Sequence, residues 1–142
     1  MTSHDIQNAA RITVVFSTLY MLTLVNQILT KKRLFQQFKA QGKSFHRYSA
    51  PEMLNADRLV ANLLEWSLVF LSPLWSLAAT GHLSEAATKI AWTYVGVRGL
   101  YCILVTTFGV NQNGYNLPLW AATLPGYFCL LYLAAQAFLL LF

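Results

Sequence analysis

The sequence predicts an all-α integral membrane protein, a transmembrane bundle of four helices. Hydrophobic residues make up 56% of the 142 residues and charged residues only 11%, where a soluble domain carries about a quarter charged. Mean hydropathy is +0.46. Apolar stretches long enough to cross a hydrocarbon core of about 30 Å recur between turn signals. They predict helices over roughly 6–40, 50–80, 84–109 and 117–142, within a single four-span domain covering 1–142. No repeat, linker or low-complexity segment divides the chain.

The first helix begins near Asp5 or Ile6 and is strongly apolar from Ile12 to Leu29. No basic segment precedes it, so it reads as a retained first span rather than a cleaved signal. Thr13, Ser17, Tyr20, Gln27 and Lys31 recur at helical spacing and are expected to face other helices. The chain then crosses an interface at Lys31-Lys32-Arg33-Leu34-Phe35. Phe35, Phe38, Phe45 and Tyr48 interleave with Lys39, Lys43 and Arg47, a pattern for a connection lying on the membrane surface. Gly42 is the expected break.

Ser49-Ala50-Pro51-Glu52 has the Ser-x-x-Glu form of a capping box with proline in the first turn. Helix two is therefore expected to start near Ala50 and to end at Thr80, capped by Gly81, with a kink at Pro73. Ser84-Glu85 opens helix three, which ends at Gly109 and carries one mid-span charge, Arg98, on the stripe Tyr94, Arg98, Tyr101, Val105. Helix four follows the polar turn 111–116, with Asn116 as N-cap, Pro118 just inside, and an interruption at Pro125-Gly126.

Net charge is +5, and Lys31, Lys32, Arg33, Lys39, Lys43 and Arg47 hold most of the ten basic residues. Beside membrane spans this cluster signals the cytoplasmic or equivalent side and contact with lipid headgroups, not nucleic acid. The expected location is an endomembrane, a mitochondrial membrane or a bacterial inner membrane. Cys102 and Cys129 lie inside apolar runs, and His4, His46 and His82 are scattered, so no metal framework is expected.

The chemistry-bearing stretch is Arg58-x3-Asn62-x2-Glu65, three polar residues on one face of helix two as it enters the membrane. Ionisable groups at such depth are costly and mark functional sites or buried networks that fix helix register. With the basic-side boundary near Ala56, Glu65 lies about 14 Å deep. With helix three leaving at Gly109, Arg98 lies about 16 Å deep, so a structural Glu65–Arg98 ion pair is expected. Tyr101 comes level with Asn62. A cavity built from these groups suits a small anionic, amine-bearing ligand: Arg58 for a carboxylate, Glu65 for an ammonium, Asn62 for an amide.

Arg58-x3-Asn62-x2-Glu65, followed by Arg98-x2-Tyr101 and preceded by Lys31-Lys32-Arg33-Leu34-Phe35, resembles the MAPEG superfamily of eicosanoid and glutathione metabolism. The similarity covers roughly residues 6–142, and the helix two motif is its sharpest part. The resemblance implies a four-helix protomer, a homotrimer or a subunit of a larger assembly, with glutathione as co-substrate between protomers. Carried over, Arg58, Asn62, Glu65 and Tyr101 would hold glutathione, with Lys32 and Arg33 at the pocket mouth as candidate catalytic cations. Arg98 would be structural. Two features depart from the catalytic pattern: Val105 stands where a second tyrosine is usual, and Asn111-Gln112-Asn113 lacks the arginine that stabilises a thiolate. The implied activity is a glutathione-dependent transferase or peroxidase acting on lipophilic electrophiles or lipid hydroperoxides. The alternatives are a non-catalytic lipid-binding or structural member of the same fold and, outside the family, an unrelated four-span protein such as a small transporter.

Overall fold

Four helices make up nearly all of the computed structural model, which describes residues 3–110 and 117–141. They are α1 (Ser3–Ala40), α2 (Pro51–Thr80), α3 (Glu85–Phe108) and α4 (Leu117–Leu141), with a short 3-10 turn at Arg47–Ser49. Each is long and apolar enough to cross a membrane. Among the described residues there is no strand.

Each helix turns one stripe of mostly small or apolar residues inward. On α1 the stripe is Ala9, Ile12, Phe16, Thr23 and Leu34. On α2 it is Met53, Ala56, Leu59, Leu63, Phe70, Leu74 and Leu77. Ala87, Ala91, Tyr94, Arg98, Cys102 and Val105 face in from α3, and Ala122, Cys129, Leu133 and Ala137 from α4. The alanines let the backbones approach closely, the usual device where lipid offers no hydrophobic drive between helices. α1 packs along α2 and α3 along α4, with α2 also against α4. Phe16, Phe70 and Tyr94 lock three helices together, with Phe70 and Tyr94 ring centroids 4.3 Å apart. The opposite faces expose Leu22, Ile28, Leu68, Ile103, Phe128 and Leu131, which suits lipid and not water.

Turn chemistry follows the sequence closely at most ends. Gly42 takes φ 65° just past α1, and Phe38 meets Phe45 edge-on at 5.5 Å as the connection folds back. Gly81 caps α2 at φ 76°, Ser84 accepts the Ala87 N–H at 3.1 Å to start α3, and Gly109 ends α3 at φ 70°.

Three expectations need correction or fall elsewhere. The N-cap of α2 is Ala50, which makes no side-chain cap hydrogen bond, and the Ser49 side chain of the expected capping box lies outside the described residues. Glu52, its other member, is drawn instead to Arg33 on α1, 3.1 Å away. α4 is not interrupted at Pro125-Gly126: the helix runs through both. Pro73 lies within α2. The proposed Asn116 cap and the turn 111–116 lie outside the described residues.

Candidate functional site

The first half of α2 and the middle of α3 carry the polar residues Arg58, Asn62, Glu65, Arg98 and Tyr101. Arg58, Asn62 and Glu65 share a face of α2, and with Ala61 and Tyr101 they line an open cavity of about 260 Å³. Four residues named from sequence spacing are thus brought together. Arg58 and Glu65 are exposed, and neither makes an ion pair or hydrogen bond among the described residues. Tyr101 and Asn62 are half-buried at the inner wall.

Behind that wall sits Arg98, only 2% exposed. Its Nε donates to the Tyr94 hydroxyl at 3.0 Å and its Nη1 to Asn62 Oδ1 at 3.0 Å. The rings of Tyr94, Trp66 and Tyr101 surround the guanidinium, with centroids 5.2, 5.7 and 5.9 Å from Cζ. The expected Glu65–Arg98 ion pair is not formed. Depth along a helix does not fix azimuth: Glu65 falls on the outward side with Arg58, whereas Asn62 is turned towards the interior and meets Arg98 first.

Lys32 and Arg33 are not brought to this cavity within the chain. Lys32 is exposed, and Arg33 pairs with Glu52 at the edge of a second cavity of about 330 Å³. Asn26, Thr30, Asn55, Val105 and Thr106 also line that second cavity. Val105 is 1% exposed and points into the protomer, away from the group lined by Arg58 and Tyr101.

Two polar devices hold the surrounding frame and were not anticipated. Arg47 grips Asp57 with two hydrogen bonds of 2.6 Å, while Gln27 Nε2 donates to the same carboxylate at 2.7 Å. That clasp fastens the basic connection to α1 and α2, and the Asp57 carboxylate raises the pKa of Arg47 above its ordinary value. Asn55 Oδ1 accepts the Val110 N–H at 3.0 Å, tying the end of α3 to α2. The available signal was scarcity: with five acidic residues against ten basic ones, an Asp beside Arg58 had a basic neighbour to find. Among the described residues no group of His, Cys, Asp and Glu could hold a metal ion.

The model of the MAPEG family matches residues 9–139, nearly the whole chain. The chain belongs to the MAPEG family. Membership makes it a membrane protein of the eicosanoid and glutathione metabolism type. No curated protein and no solved structure matches it.

Proposed function

We propose that this MAPEG protein binds glutathione at the Arg58–Tyr101 cavity and directs its thiol at lipophilic electrophiles or lipid hydroperoxides drawn from the bilayer. One observation carries the reading: Arg58 and Glu65, a cation and an anion free of partners among the described residues, line one open cavity with Asn62 and Tyr101. Glutathione is complementary to that set. Arg58 holds a carboxylate, Glu65 the ammonium, and Asn62 an amide, while the Tyr101 hydroxyl is left for the sulfur. In conjugation, the thiolate sulfur forms a bond to carbon and the leaving group departs with its electron pair. In peroxide reduction, sulfur attacks oxygen, the O–O bond breaks, and a second glutathione completes the disulfide with release of alcohol and water. Holding the two reactants together lowers the barrier by proximity.

At about 260 Å³ the cavity is smaller than the roughly 300–1,000 Å³ typical of sites that enclose a ligand. A neighbouring protomer, as in a homotrimer, would complete it and bring its own Lys32 or Arg33 near the thiol. The buried Val105 favours a second reading, a non-catalytic lipid-binding or structural member, because no hydroxyl is available one turn beyond Tyr101.

Calorimetric titration with glutathione, followed by turnover of an aryl halide and a fatty-acid hydroperoxide, separates the two. A charge-assisted contact contributes about 1.5–3 kcal/mol, so Arg58→Ala is expected to weaken binding roughly ten- to a hundredfold. Its melting temperature is expected to stay at the wild-type value, since Arg58 is exposed. No binding by the wild type at millimolar glutathione defeats the proposal, and binding without turnover establishes the second reading.

A further inference from the structure

Arg98 is the one side chain among the described residues with a buried polar atom lacking any partner: its Nη2 touches neither solvent nor an acceptor. A guanidinium stays protonated, so a full positive charge sits inside a membrane span. Buried charges are normally neutralised by an opposite charge. Here no carboxylate lies within ion-pairing distance among the described residues. Tyr94, Asn62 and three ring faces contribute dipoles and quadrupoles, not a counter-charge. Unexplained buried groups of this kind call for a physical account.

The open cavity adjoins Arg98 through two of its neighbours. Asn62, bonded to Nη1, and Tyr101, whose ring centroid is 5.9 Å from the guanidinium carbon, both line it. Because Asn62 Oδ1 is committed to Arg98, the amide is held in one orientation and offers its Nδ2 as a donor. Tyr101 offers a hydroxyl. Two neutral donors backed by an unneutralised cation form a shallow anion seat, distinct from the exposed Arg58 at the rim.

Resting on the glutathione reading, we propose that Arg98 is a positioning residue that holds the ligand's sulfur as a thiolate, acting through Asn62 and Tyr101. The thiol loses its proton to water on binding, and the sulfur anion becomes the missing counter-charge. Charged and titratable groups around the seat are Arg58 and Glu65 from α2, Tyr94, Tyr101 and Cys102 from α3, and Cys129 and Tyr127 from α4, the last packing on Trp66. Glu65 opposes a nearby anion, and the ligand's own ammonium offsets it.

The test is the ultraviolet absorbance of the thiolate, followed against pH on the purified full chain in lipid nanodiscs. The probes are glutathione and S-methylglutathione, which has no thiol to ionise. A free thiol titrates at about 8.5, and the unneutralised cation behind Asn62 and Tyr101 is expected to lower the bound value by one unit or more. Arg98→Gln is expected to return the thiol to its free value and to weaken glutathione binding about tenfold or more. S-methylglutathione affinity is expected to change less than about twofold. Arg98→Lys, which keeps the charge but not both hydrogen bonds, is expected to fall between. Equal loss for both ligands, or an unshifted thiol in the wild type, overturns the proposal, and the wild-type titration decides it even where Arg98→Gln fails to fold. Wild type that binds neither ligand fails the glutathione reading itself, whereas tight binding of both with an unshifted thiol sinks this inference alone.

Discussion

Asn62 and Glu65 lie three residues apart on α2 yet meet opposite surroundings. At about 100° per residue they are separated by about 60° around the helix, enough to send one inward and leave the other at the surface. Asn62 Oδ1 accepts from the buried Arg98, while Glu65 is exposed and without a partner among the described residues. The consequences for stability are therefore reversed from those of an ion pair. Glu65→Gln is expected to shift the unfolding free energy by less than about 0.5 kcal/mol, the usual range for a surface change. Asn62→Leu strips an acceptor from a buried guanidinium and is expected to cost about 1.5–3 kcal/mol. Thermal denaturation of both variants in the same detergent checks the pair, and a larger loss from Glu65→Gln would show that the carboxylate does reach Arg98.

The helices were legible because each is an apolar run long enough to span a membrane, set between turn signals. Their ends were legible where a residue has one physical use, as with Gly81, Ser84 and Gly109. Contacts between helices were not, since height along a span can be counted from sequence but rotation about it cannot. That is why the four cavity residues were found while Arg98's partner was misassigned and the Asn55 tie to Val110 was missed. The tie itself makes a test at this scale. Gly109 has φ 70°, and a Cβ added there would lie 2.9 Å from Asn55 Nδ2. Gly109→Ala combines a left-handed strain with a clash and is expected to cost about 1–3 kcal/mol. Asn55→Ala removes the Val110 acceptor and the obstacle together. In a double-mutant cycle the two changes are thus expected to cost less than their sum. Strict additivity, measured by denaturation, would mean that Asn55 does not hold the end of α3.

For the whole molecule the governing asymmetry is charge. Lys31, Lys32, Arg33, Lys39, Lys43 and Arg47 gather around the α1–α2 connection, while Lys89 is the basic residue near the α2–α3 turn. Arg47 binds Asp57 at the start of α2, so the connection is fastened against the bundle on the side where the Arg58 cavity opens. Arg58 directly follows Asp57 and so lies at the same end of the bundle as the basic connection, and a ligand of the proposed site is expected to arrive from that side. With two spans between them, the α1–α2 and α3–α4 connections are expected on the same side, and the Gly81–Ser84 turn on the other. Lys39→Cys, Asn113→Cys and Ser84→Cys variants in sealed vesicles test this with a thiol reagent that does not cross lipid, the native Cys102 and Cys129 being buried. Labelling from one side is expected at 39 and 113 together, and from the other at 84. Labelling of 39 and 113 from opposite sides would break the four-span topology, and with it the argument that glutathione and the basic connection meet on one face.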